Sequence, residues 1–222
     1  MIRACCFDMD GVLFDTERAG TLLMSMALAE QGYDAAPESW ISLIGTTMQQ
    51  TGEALEQRFP GISVSRFLDD WKNQTMRWAF TEGLPVKPGA AETLLGLRER
   101  GIGTALCSSN DPEVVLAYLR AMGWEELFQH VVTVEQVENA KPHPDIYLEA
   151  ARRLGVDPAC CAGVEDSPSG LRALRAAGFH SIMIPDMIPC GPELAPYVDC
   201  LLPSMEDLLA YIDRLNQGGD HP

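Results

Sequence analysis

Hydrophobic positions along this chain follow two patterns, and the change between them divides it. From residue 102 onward, short runs that are apolar throughout alternate with amphipathic segments. Runs at 3–7, 102–107, 131–134, 160–164, 181–184 and 200–202 read as strands. Such runs without polar alternation belong to strands covered on both faces. Helices are predicted between them: from Asp111 and Pro112 to about Met122, over 144–154, from Ser167 and Pro168 to near Gly178, and from Ser204 to Leu215. Each opens on a capping side chain or a proline, as helix starts favour. The predicted class is therefore α/β, a parallel sheet with helices on either side.

Residues 16–82 break that alternation. No convincing strand occurs there, only helical spacing punctuated by Gly32, Pro37, Gly45, Pro60-Gly61 and Gly83. Four helices are predicted, at 17–31, 38–44, 48–59 and 64–81. The last carries Val64, Phe67, Leu68, Trp71, Trp78 and Ala79 near one helical face. This stretch reads as a helical domain inserted after the first strand, with hinge-like linkers at 14–16 and 83–88. A disordered tail is expected at 217–222.

Composition narrows the partners. The 222 residues are 46% hydrophobic, enough for a full core, and carry 16 basic against 32 acidic residues for a net charge of −16. Such a surface repels nucleic acid and anionic lipid, so neither is an expected partner. A phosphate ligand would need local positive charge from a metal, a lysine or helix N-termini. Seven cysteines, with no metal-ligand spacing and with Cys5, Cys6, Cys107, Cys160 and Cys161 in short apolar runs that read as buried strands, read as reduced thiols of a cytoplasmic protein. Pairing of Cys190 with Cys200 stays open. No run is long enough to span a membrane, and no heptad repeat demands an oligomer, so a monomer is expected.

Ligands of open parallel sheets bind beyond the carboxyl ends of the strands. Four polar clusters follow apolar runs: Asp8-Met9-Asp10-Gly11, Ser108-Ser109-Asn110, Lys141-Pro142, and Glu165-Asp166-Ser167. In extended backbone Asp8 and Asp10 face the same way. One carboxylate suits a nucleophile toward phosphorus, and the other an acid that then serves as base. Converging carboxylates repel unless a hard cation joins them, which implies Mg²⁺. Lys141 suits neutralisation of nucleophile and phosphate, and Ser108 with the Ser109 and Asn110 amides suits phosphate oxygens at a helix start. Taken singly, each has a plain structural role: an acidic turn, a surface lysine, a helix cap.

Together these motifs resemble the haloacid dehalogenase superfamily, specifically its phosphatase subgroup related to β-phosphoglucomutase. The stretch from Asp8 to Glu17 looks like the first motif, Ser108 the second, Lys141 to Tyr147 the third, and Gly163 to Gly170 the fourth. The resemblance implies a Rossmann-like core from 1–15 and 83–216 with an α-helical cap at 16–82. It implies Asp8 as nucleophile and Asp10 as general acid/base. Mg²⁺ would be held by Asp8, the Asp10 main-chain carbonyl and Asp166, with Glu165 a direct or outer ligand. Ser108 and Lys141 would bind the phosphoryl group.

Asp10 argues against a dehalogenase, which lacks an acid at that place. Sugar-phosphate mutases carry a cap histidine where this chain has Gly20, and a cap arginine where it has Met48. Hydrolysis of a small phosphorylated metabolite is therefore the expected activity, with the mutase as runner-up. A silent binding protein would have lost some of these acids, and all are present. Gly45, Thr46 and Thr47 are the candidate specificity positions. Lys72, Arg77 and Lys87 are further candidate contacts, while the cap tryptophans read as core and His143 as a surface or structural residue.

Overall fold

The computed structural model describes residues 1–218. The chain opens with β1 (Ala4–Phe7), then runs through α1 (Glu17–Ala29), α2 (Met48–Arg58) and α3 (Val64–Thr81). It continues with α4 (Ala90–Glu99), β2 (Gly103–Ser108), α5 (Pro112–Met122), β3 (His130–Thr133) and α6 (Asp145–Leu154). It ends with β4 (Cys161–Glu165), α7 (Pro168–Ala177), β5 (His180–Met183), β6 (Cys200–Leu201) and α8 (Leu208–Asn216). All six strands are parallel, in the order β3-β2-β1-β4-β5-β6. Phe7, the last residue of β1, lies opposite Leu106 and Val164. Strand order reverses between β1 and β4, which opens a crevice at their carboxyl ends.

Alternation along β1 builds the core. Cys5 and Phe7 pack with Leu94, Leu97, Val115, Tyr118 and Ile212 from α4, α5 and α8. Ala4 and Cys6 face the opposite layer, with Ile146, Tyr147 and Leu174 from α6 and α7. Every residue of β1 and β4 is buried, which is why their runs carry no polar alternation. Small residues let that second helix layer approach closely. A Cβ at Gly163 would stand 2.0 Å from Leu174 Cδ2, and Leu174 is itself fully buried.

The inserted helices have a core of their own, built from Met24, Ala27, Leu28, Trp40, Leu55 and Phe67. Their two connections meet side by side. Asp15 N donates to Pro85 O at 2.8 Å, Lys87 N donates to Leu13 O at 2.9 Å, and Phe14 bridges Val86. Lys87 also pairs with Asp186 at 2.8 Å.

Some expectations change. The helix predicted at 38–44 is a 3₁₀ segment, Pro37–Leu43, confined between Pro37 and Gly45, whose φ is 74°. Helix α4 had no prediction: Gly89 precedes it at φ 79° and supplies no capping side chain. Strands β2 and β4 each run one residue further than predicted, so Ser108 and Glu165 end strands rather than begin loops. The last helix begins with a 3₁₀ turn, Met205–Asp207, capped by Ser204. All seven cysteines are free, Cys190 and Cys200 included, and Cys160 precedes β4 and is half-buried. Of the expected tail, Gln217 and Gly218 form a turn and residues 219–222 lie outside the described residues. Among the described residues no helix is long and apolar enough to cross a membrane.

The packing at Gly163 generates a stability prediction. Gly163→Ala overpacks the α7–β4 contact, at a cost of about 1–3 kcal/mol. Circular dichroism melting is expected to show Tm lowered by about 2–4 °C per kcal/mol. An unchanged Tm would mean that Leu174 yields freely.

Candidate active site

The carboxyl edge of the sheet gathers the predicted clusters. Asp8 follows β1, Ser108 ends β2, Lys141 comes from the connection after β3, and Glu165 and Asp166 stand at the end of β4. Asp8, Ser108, Lys141, Glu165 and Asp166 are all buried. Lys141 Nζ lies 2.6 Å from Asp8 Oδ1 and 2.6 Å from Glu165 Oε1. Its third contact is the Cys107 carbonyl at 3.1 Å. Burial lowers the affinity of Lys141 for its proton, but Asp8 and Glu165 outweigh that and hold it above the ordinary lysine range.

Glu165 has both oxygens engaged. Its Oε1 accepts from Lys141 and from the Tyr147 hydroxyl at 2.5 Å. Its Oε2 accepts from the Ser167 hydroxyl at 3.0 Å and from the Asp166 and Ser167 amides at 3.2 and 3.3 Å. A Cβ at Gly170 would stand 1.8 Å from Glu165 Oε1, so the first turn of α7 has room for this carboxylate only because residue 170 is glycine.

Asp166 is the reverse case: neither of its buried carboxylate oxygens has a partner among the described residues. Asp8, Glu165 and Asp166 each offer an oxygen within 4.8 Å of the others. Burial first, then Glu165 and Glu17, pushes the Asp166 carboxyl well above its usual range. Burial likewise pushes Asp8 up to about 8, against the opposing pull of Lys141. Two orphaned oxygens in an excess of buried negative charge fit a hard divalent cation such as Mg²⁺, because such ions take oxygen donors. Gly11 makes the approach possible. Its φ is 74°, and a Cβ there would lie 2.2 Å from Asp166 Oδ2.

Asp10 turns to the cleft between sheet edge and inserted helices. Its Oδ1 accepts from Thr16 Oγ1 at 2.5 Å and its Oδ2 from Asn110 Nδ2 at 2.6 Å. Asp8 lines the same cleft, and the negative charge of Asp10 adds to what raises the Asp8 carboxyl. Burial raises its carboxyl, with Thr16, Lys141 and Asn110 opposing. The Ser108 hydroxyl accepts from Asn110 N at 3.1 Å, while Ser109 and Asn110 line the cleft.

The inserted helices supply the opposite wall. Gly45 and Thr46 line the cleft. Thr47 instead caps α2, its hydroxyl accepting from Gln50 N at 3.2 Å while Gln50 Oε1 accepts from Thr47 N at 2.9 Å. Polar links join this wall to the core. Ser169 Oγ donates to Gly45 O at 3.0 Å, Gln50 Nε2 to Lys141 O at 3.4 Å, and Lys72 Nζ reaches Asp111 and Glu113 at 2.9 Å each. Arg77 and His143 are exposed, and Lys87 is spent on Asp186.

Sequence reasoning assigned no role to Thr16, Glu17 or Tyr147, or to the Asn110 side chain. Each sits within a quoted motif, but its partner lies elsewhere in the fold. Glu17 lines the cleft, and burial followed by Asp10 lifts its carboxyl well above the usual range.

A family model described as haloacid dehalogenase-like hydrolase matches residues 2–178. Hexitol phosphatase B of Escherichia coli (strain K12) is 29% identical over 213 residues, covering 94% of this chain and 95% of that protein. The phosphorylated carbohydrates phosphatase of Thermotoga maritima is 30% identical over 184 residues, covering 82% and 84%. Among solved structures, CbbY from Rhodobacter sphaeroides in complex with phosphate matches with a TM-score of 0.85 at 28% identity, covering 96% of this chain and 100% of that one. With a family match across most of its length and the same sheet beneath its acidic edge, the chain belongs to the haloacid dehalogenase-like hydrolases and is a phosphatase.

Proposed function

We propose that this phosphatase is Mg²⁺-dependent, hydrolyses small phosphate monoesters such as sugar or polyol phosphates, and carries the phosphoryl group on Asp8. The observation that carries this reading is the buried Lys141–Asp8 pair at 2.6 Å beside the partnerless Asp166 carboxylate. The names of the hexitol and carbohydrate phosphatases support the substrate class. Asp8, Asp166 and the Asp10 main-chain carbonyl would hold the ion, with Glu165 outside it because its oxygens are already taken. Bound there, Mg²⁺ supplies positive charge against the phosphoryl oxygens.

The chain's own residues divide the remaining work. An Asp8 carboxylate oxygen attacks phosphorus in line, forming one P–O bond as the bond to the leaving group breaks. Asp10, protonated, gives its proton to the leaving oxygen. Water then attacks phosphorus, Asp10 takes the proton from it, and the Asp8–phosphorus bond breaks to release inorganic phosphate. The Ser108 hydroxyl holds a phosphoryl oxygen. Lys141, bonded to Asp8 and Glu165, neutralises the nucleophile and the phosphoryl charge beside it, and the inserted helices act as a cap that excludes bulk water. Positioning and charge neutralisation are most of what phosphoryl transfer asks of a protein. Seven free thiols support a cytoplasmic setting.

A mutase remains the second reading. Gly20 and Met48 both line the cleft, so the two positions where mutases carry a histidine and an arginine face the substrate space here with neither. This favours hydrolysis. Release of free phosphate, rather than isomerisation of β-glucose 1-phosphate with a trace of bisphosphate, is the distinguishing readout.

Asp8→Asn is expected to lower phosphate release from a sugar-phosphate panel by roughly 10,000-fold or more, as loss of a covalent nucleophile does. Chelator should abolish the wild-type reaction. Residual turnover in the variant close to wild type would remove Asp8 from the mechanism. Independently of activity, Mg²⁺ at about 100 times its Kd should stabilise the wild type by about 2.7 kcal/mol. Asp166→Asn should lose most of that shift in a thermal melt, and an undiminished shift would put the ion elsewhere.

A further inference from the structure

Helix α3 supplies much of the cleft wall, and its polar atoms there are unevenly matched. Trp71, Lys72, Thr75 and Trp78 all line the cleft. Trp71 and Thr75 are one helical turn apart, so they share a face. The indole Nε1 of Trp71 and the hydroxyl of Thr75 are buried and have no partner among the described residues. Neighbouring hydroxyls are satisfied within the protein: Thr21 donates to Arg18 O at 3.0 Å and Thr46 to Leu43 O at 2.6 Å. Buried polar groups are paired as a rule. Asp70 Oδ2 and Gln74 Oε1 of the same helix also lack a hydrogen-bond partner among the described residues. Of the four, only Trp71 and Thr75 line the cleft, where a ligand can complete them.

Charge on the same wall points the same way. Lys72 is the only lysine or arginine among the described residues lining the cleft. Its ammonium is shared between Asp111 Oδ2 and Glu113 Oε2, each at 2.9 Å. Asp111 itself lines the cleft. The wall therefore offers two neutral hydrogen-bonding groups and aromatic surface, but no unspent cation.

We propose that Trp71 and Thr75 are specificity-determining residues that hydrogen-bond hydroxyls of the leaving group. The leaving group is then an uncharged polyhydroxylated chain or ring, and the substrate carries a single phosphate. This rests on the phosphatase reading above and adds the groups that choose the alcohol. Sites built to hydrogen-bond a hydroxyl discriminate against analogues that lack it. A second phosphate would meet carboxylates and a lysine already shared by two of them.

The test compares kcat/KM for a hexitol 6-phosphate, for p-nitrophenyl phosphate, whose leaving group has no further hydroxyl, and for a hexose 1,6-bisphosphate. Trp71→Phe keeps most of the ring and removes the N–H, Thr75→Val removes the hydroxyl at constant shape, and Thr75→Ser restores it. Each of the first two is expected to lower the hexitol-to-nitrophenyl ratio of kcat/KM by about 2- to 13-fold, the worth of one neutral hydrogen bond. Thr75→Ser should recover the wild-type ratio. The bisphosphate should be at least about tenfold poorer than the monophosphate, one such factor being a modest charge mismatch. An unchanged ratio in both variants, an equal loss on both esters, or a bisphosphate used as well as the monophosphate would overturn the proposal. Wild type that releases no phosphate from any ester would instead overturn the phosphatase reading beneath it.

Discussion

The ammonium of Lys141 sits where three strands of the sheet end. It is held by Asp8 after β1, by the Cys107 carbonyl in β2 and by Glu165 at the tip of β4. A buried ammonium is costly to desolvate unless its donors are all taken, and here three acceptors take three donors. The carboxylates depend on it equally, since Asp8 and Glu165 could not otherwise share so small a volume. Removing one member of such a buried set typically costs about 3–5 kcal/mol, because the others are left uncompensated. The reactive edge thus depends on one positive charge.

Shape keeps that charge in place. Glu165 spends one oxygen on Lys141 and Tyr147 and the other on the turn that opens α7, and Gly170 leaves it room. Asp166, next in sequence, is left with two buried oxygens and no internal partner. Adjacent acids therefore divide into one that braces the lysine and one whose oxygens have no protein partner among the described residues. Asp10 belongs to a third environment, tied to Thr16 and Asn110 and open to the cleft. The carboxylates are chemically identical, and their surroundings set them apart.

Much of this was legible in the residue order, because strand ends are marked by a polar residue after an apolar run. Asp8, Ser108, Lys141 and Glu165-Asp166 were found that way, and the inserted helices stood out by their lack of strands. Partnerships were not legible. Nothing local ties Tyr147 to Glu165, or Asn110 to Asp10 a hundred positions away; only the sheet order brings them together. Thr47 shows the opposite failure: threonine three residues before Gln50 is a capping pattern, and its hydroxyl is consumed by the helix start rather than offered to a ligand. Helix α4 escaped notice because it starts at a glycine, with no side chain to announce it.

The two connections of the inserted helices run side by side at Phe14 and Val86, joined by hydrogen bonds of 2.8 and 2.9 Å. For the sheet, the whole intervening stretch is a loop whose ends are already clasped. The entropy of closing a loop grows only with the logarithm of its length, so the sheet is nearly indifferent to how many residues lie beyond that clasp. In evolutionary terms the clasp is a socket. Helices could be lengthened, traded or rebuilt there to suit a new alcohol while the sheet edge where Asp8 and Lys141 meet kept its place.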